Sequence, residues 1–124
     1  MRLAVIRKRA DFLAANRGLR VARAGFVLLV NRDAAGEGAM RHGITVTKKI
    51  GGAVVRNRMK RRFRALLREL LPTHGIAAAA HVLIGREGGI ERDFKLLRQE
   101  IIAALGRASE GKGDPPRRRK ALTK

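Results

Sequence analysis

Cysteine, tryptophan and tyrosine are all missing from this 124-residue chain. Without cysteine there is no disulfide and no thiolate metal site, which fits a reducing compartment. The four phenylalanines are its only aromatic rings. That excludes a surface built on many stacked bases, so any hold on nucleic acid has to lean on phosphates. Acidic residues are scarce as well: 10 against 29 Lys and Arg, a formal charge of +19. None falls between Glu37 and Glu69. No apolar run reaches spanning length, and the opening MRLAVIRKRADF returns to charge after a four-residue apolar patch. Neither a membrane helix nor a signal peptide is expected. His42, His74 and His81 are scattered, none spaced with an acid as metal ligands would be. No Ser/His/Asp or Cys/His set stands out, so neither a catalytic residue nor a metal ligand is expected on the protein.

What the chain does have is unpaired positive charge. Such an excess is costly in a compact protein unless a polyanion neutralises it. Nucleic acid is the first partner class this implies; an acidic membrane surface is second, and weaker because the basic segment lacks Trp. The length suits one domain, expected over residues 1–107. The Gly-, Pro- and Arg-rich end, 108–124, has almost nothing to bury and reads as a disordered basic tail.

Along the chain, Ala10 to Arg17 reads as a short helix anchored by Phe12 and Leu13, with Gly18 as a stop. Gly25 to Asn31 is a run of strand formers, Asp33 to Gly38 a turn, and Arg41 to Thr47 an alternating strand. A loop of that size predicts that the two strands pair as an antiparallel hairpin. After Gly51-Gly52, apolar residues at Val55, Met59, Phe63, Leu66, Leu67 and Leu70 predict a helix ended by Pro72. A third strand is centred on His81 to Ile84. A last helix spans Glu91 to Leu105, with Phe94, Leu97, Ile101 and Leu105 on its buried face and Gly106 as its cap. The acids Glu91 and Asp93 suit that helix's N-terminus. The order α-β-β-α-β-α is an α+β two-layer sandwich of a small mixed sheet with helices packed on it. Phe26, Phe63 and Phe94 are expected in the core, and His42 and His81 as satisfied strand residues.

The segment Lys48 to Arg64, KKIGGAVVRNRMKRRFR, carries eight basic residues and no acid. At 100° per residue the apolar positions form one narrow stripe. Asn57, Arg61, Arg64 and Arg68 lie near the opposite pole, with Arg56 and Lys60 along one border and Arg58 and Arg62 along the other. Most charged helix faces are merely solvated, but those mix acids with bases to gain i,i+4 pairs. Here Arg56/Lys60/Arg64 and Arg58/Arg62 stack like charges, which repel. The face therefore reads as an array of guanidinium forks for phosphates. Gly51-Gly52 is a turn that leaves backbone N–H groups free at the helix start.

The run TVTKKIGGAVVRNRMKRRFR, Thr45 to Arg64, resembles the signature of the bacterial ribonuclease P protein component. The matching parts are Lys48-Lys49 at a strand end, Gly51, Arg56-Asn57-Arg58 and Lys60-Arg61. RKRADF (Arg7 to Phe12), Gly18 and FVLLV resemble the family's first helix and strand. The resemblance covers about residues 5 to 106. It implies an α/β sandwich with a left-handed βαβ crossover at the basic helix. It also implies a place beside a large catalytic RNA that removes the 5′ leader of precursor tRNA. That RNA would hold the Mg²⁺ and perform the hydrolysis, leaving no cofactor on the protein. RNA contact is implied for Lys48, Lys49, Arg56, Asn57, Arg58, Lys60, Arg61, Arg62, Arg64 and Arg68. A leader-binding cleft is implied at Lys8, Arg9, Phe12 and Thr47. Two aromatic positions of the family are Asn16 and Leu29 here, which leaves Phe12 to stack alone. Partners are then the catalytic RNA and precursor tRNA, with no obligate protein partner, no membrane and a cytoplasmic setting. A structural ribosomal protein suits the composition and size equally well. A DNA-binding regulator is disfavoured because no partner helix precedes the basic one. A stand-alone nuclease is disfavoured because no acid or histidine cluster is present.

Overall fold

The computed structural model describes residues 3–32 and 40–114; the expected turn at Asp33 to Gly38 lies outside them. Five strands and three helices are present among the described residues: β1 (Leu3–Val5), α1 (Arg9–Ala15), β2 (Leu19–Ala22), β3 (Phe26–Asn31), β4 (Met40–Thr45), α2 (Ala53–His74), β5 (Ala80–Gly85) and α3 (Phe94–Ser109). They form one mixed sheet in the order β1-β4-β5-β3-β2. β1 and β4, and β4 and β5, run parallel; β5 and β3, and β3 and β2, run antiparallel. The α+β class expected from the pattern is the one observed, but the order begins with a strand and includes β2. Both extra strands are only three or four residues long, too short to announce themselves by alternation.

The expected β3–β4 hairpin does not form. β5 inserts between those strands, pairing Leu28 with Leu83 on one side and His42 with His81 on the other. The reason is burial: β3 and β5 are apolar on both faces, as central strands are. β4, α2 and β5 thus make a parallel crossover unit that sets the basic helix against the sheet.

One face of the sheet carries the main core. Phe26, Leu28 and Val30 of β3 and Leu83 of β5 meet Met59, Phe63, Leu66, Leu67 and Leu70 of α2 and Leu97, Ile101 and Leu105 of α3. The other face carries a small cluster, Ile6, Ala15, Val27, Leu29, Ala80 and Val82, under the seven-residue α1.

α1 starts one residue and stops two residues earlier than expected, and three ends of the longer helices also differ. α2 runs through Pro72 to His74. Pro72 stands one turn from the end, where a single lost ladder bond is tolerated because Leu70 and Leu71 are buried beneath it. α3 starts at Phe94 because the Asp93 side chain caps it, accepting from the Leu96 N–H at 3.1 Å. It passes through Gly106 to Ser109 because Ala104, Leu105 and Ala108 extend the buried stripe. Gly111, at φ 78°, is the actual stop, with its N–H on the Ala108 carbonyl.

The domain also extends past the boundary expected at residue 107. The Asp114 N–H donates to the Arg20 carbonyl at 2.6 Å. Its Oδ2 accepts from the Ala22 N–H at 2.7 Å. The outer edge of β2 is thereby covered by the chain's own C-terminal segment. Residues 115–124, the rest of the expected tail, lie outside the described residues.

Candidate nucleic-acid interface

The basic helix is entered through a 3-10 turn, Lys48–Ile50, and then Gly51, whose φ of 156° is a conformation that side chains rarely adopt. Gly52 caps α2 without a side chain, and no acid stands in the first turn. The helix's positive end is therefore uncompensated. Apolar residues pin one side of α2 to the sheet, so the remainder is held rigidly outward. Lys48, Lys49, Asn57, Arg58, Arg61, Arg64 and Arg68 are exposed; Arg56, Lys60 and Arg62 are half-buried. Val55, expected in the stripe, is half-buried at its upper end, and Val54 beside it is 83% exposed.

Two arginines of this face have internal work. The Arg56 Nε donates to the Gly51 carbonyl at 3.1 Å, tying the helix to the turn before it. Arg62 is committed further: its guanidinium donates to the carbonyls of Gly89 and Arg92 and lies 5.5 Å over the Phe94 ring. Arg92 in turn grips Glu100 through two bonds of 2.7 and 2.6 Å. Phe94, expected in the core, is 40% exposed and serves as the platform for Arg62. Arg62 is thus the brace between α2 and the start of α3. Helical periodicity put it on the border of the stripe but could not reveal which neighbour waited there.

On the opposite face, α1 does not cover the sheet completely. An apolar cleft of about 470 Å³ lies beside it. Leu29, Val82 and Ile84 form its floor, Phe12, Leu13 and Asn16 one wall, and Arg7, Arg9 and Thr45 its polar rim. Of the four residues expected there, Phe12 and Arg9 line it, while Lys8 and Thr47 do not. Lys8 is the exposed residue preceding α1, and Thr47 lies beyond the end of β4. Arg7 and Thr45 stand in their places. Thr45 shares its side of β4 with Thr47, so alternation carried the signal without fixing where the strand ends. Asp11 pairs with Arg41 of β4 at 3.4 Å, anchoring α1 across this face.

A second cavity, of about 250 Å³, adjoins the first around the β1 edge of the sheet. Phe12 belongs to both. Lys60, Arg64 and Arg68 of α2 line the second cavity with His42, Gly43 and Ile44 of β4. The cationic helix and the apolar cleft are therefore connected through the Phe12 ring. His42 is 6% exposed; burial holds its imidazole below the usual range, and Arg68 and Arg64 act in the same direction. His81 is fully buried and also lowered by burial. Its Nε2 accepts from the Ile76 N–H at 3.0 Å, which puts the proton on Nδ1, 3.1 Å from the Arg41 carbonyl. It is a satisfied core histidine. Among the described residues no three His, Asp or Glu gather where they could hold a metal ion, and no helix is long and apolar enough to cross a membrane.

A rigid cationic helix with no acid from Ala53 to Arg68, joined to an apolar cleft with one aromatic wall, has the character of an RNA-binding module. Comparison with known proteins narrows the class. The family model described as ribonuclease P matches residues 1–109. The ribonuclease P protein component of Erythrobacter litoralis is 74% identical over 117 residues, covering 94% of this chain and 95% of the relative. That of Paramagnetospirillum magneticum is 39% identical, covering 86% and 83%. Among solved structures, the RNase P protein of Staphylococcus aureus is similar with a TM-score of 0.71 and 30% identity, covering 84% of this chain and 94% of that one. The protein from Thermotoga maritima has a TM-score of 0.71 and 29% identity, covering 82% and 94%. The chain belongs to the bacterial ribonuclease P protein family. Its role is that family's role in tRNA 5′ processing, alongside an RNA subunit.

Proposed function

We propose that this chain binds a catalytic RNA through the exposed face of α2 and the 5′ leader of precursor tRNA in the cleft beside Phe12. The RNA subunit holds the Mg²⁺ and performs the hydrolysis, and the protein contributes no catalytic group. The complex works in the cytoplasm. One observation carries this reading: Phe12 is shared by the cavity under Lys60, Arg64 and Arg68 and by the apolar cleft. A strand leaving the neighbourhood of the cationic helix can pass the ring and lay its bases on Leu29, Val82 and Ile84 while Arg7 and Arg9 meet its phosphates. Lys48, Lys49, Asn57, Arg58, Arg61, Arg64 and Arg68 are the free donors for the catalytic RNA. Arg56 contributes with whatever its bond to Gly51 leaves open, and Arg62 acts through the position of α3.

Cleavage of precursor tRNA by the RNA subunit at low Mg²⁺, with and without the protein, tests the proposal. The protein should restore cleavage. With about six phosphates neutralised, log K for the catalytic RNA should fall against log[salt] with a slope of roughly −4 to −5. A slope near −1, or equal competition from ribosomal RNA, would favour a structural ribosomal role instead.

A further inference from the structure

Phe12 is the only ring on the cleft wall: Asn16, one turn on, and Leu29, on the floor, offer none. How well a base stacks therefore depends on where this one ring lies. Beneath it is Gly43 of β4. A Cβ built on Gly43 would meet Phe12 Cε1 at 2.5 Å and Cζ at 2.6 Å, with Ile6 Cβ at 3.3 Å. The ring thus rests on bare strand backbone, in the space a side chain would fill. Gly43 has an ordinary strand partner in Val82 and is not among the positive-φ glycines, so space is what this position requires. The Asp11–Arg41 pair fixes α1 to the same strand two residues earlier, holding the ring over that spot.

We propose that Gly43 is a positioning residue for leader recognition: it seats the tip of the Phe12 ring against β4 so that the two cavities form one continuous path. The inference rests on the reading that the leader occupies the cleft. A methyl at position 43 pushes the ring tip outward by about 1 Å to reach normal contact distance. The ring then tilts into the path the bases take. Because the displaced atoms are the far end of a side chain that can turn, the fold loses little.

The test uses the holoenzyme reconstituted with its RNA subunit. Two precursor tRNAs are compared, one with a long leader and one with a single-nucleotide leader. Phe12→Ala should abolish the preference for the long leader. Gly43→Ala should reduce it about five-fold through KM, with kcat at saturation unchanged. The double variant should be no worse than Phe12→Ala alone. If Gly43→Ala keeps the full preference while Phe12→Ala loses it, or if the two effects add, the seat is not what positions the ring. If Phe12→Ala itself leaves the preference intact, the leader reading fails, and Gly43 has no role in recognition. Should Gly43→Ala lower the melting temperature, Gly43→Ala with Phe12→Leu relieves the contact. That pair should restore the melting temperature and leave the preference lost; no restoration would overturn the proposal.

Discussion

The two faces of the sheet are built to different standards. Under α2 and α3 the side chains of β3, β4 and β5 close into a continuous core with Phe26 and Phe63 fully buried. Under α1 a seven-residue helix covers a much smaller cluster and leaves an open apolar floor beside it. Apolar floor without a lid is costly to expose, and a well-packed face is what allows a small domain to carry it. The thick face holds the molecule together; the thin face is where something else can bind.

That contrast can be broken most directly at its two phenylalanines. Phe63→Ala should cost about 3–5 kcal/mol in urea unfolding, because the ring is fully buried between α2 and the sheet. Phe12→Ala should cost about 1 kcal/mol, in keeping with its partial burial, while abolishing leader preference. Equal losses would mean that the thin face is as structural as the thick one. The next contrast lies within α2. Arg62→Ala should destabilise by about 1–3 kcal/mol, since two partly buried carbonyls lose a charged donor and Phe94 loses its cation. Arg58→Ala should leave the melting temperature unchanged and lower the salt slope of RNA binding by about 1. Unfolding by Arg58→Ala would overturn its placement on the outer face.

Acidification probes the histidines of β4 and β5. Both rings titrate below their ordinary value of 6.5 in the folded chain, chiefly through burial. The unfolded chain therefore takes up protons first. This contribution to stability is fully present above about pH 6.5 and is lost as pH falls through the lowered folded values. Urea midpoints measured from pH 7 down to pH 5 should decline, and a flat profile would contradict the burial. The smallest effect is a gain. Gly106 lies inside α3 with open space where a Cβ would stand, so Gly106→Ala should stabilise by about 0.5–1 kcal/mol.

Much of this could be read in the residues. The spacing of Met59, Phe63, Leu66 and Leu70 located both the helix and the face it buries, and the missing acids marked the other face. What could not be read depended on partners distant in sequence. Nothing near Arg62 announces that Arg92 and Gly89 will stand beside it. Nothing in β3 or β4 announces that β5 will come between them, because each strand alone has the composition of a hairpin arm. Asp114 resembles the start of a tail until β2, 92 residues earlier, offers it an N–H to accept. The end of β4 at Thr45 was equally hidden, because the chain alternates up to Thr47 while pairing stops two residues sooner.

The insertion of β5 also sets a timetable. The strand that fills the middle of the sheet is the last of the five to be synthesised. On the ribosome, β3 and β4 have no shared neighbour until residue 85 has emerged, and every arginine of α2 precedes it. Long-range closure of this kind is slow compared with helix formation. The nascent chain therefore presents its whole cationic stretch, amid abundant RNA, before it has a sheet to hold that stretch in shape.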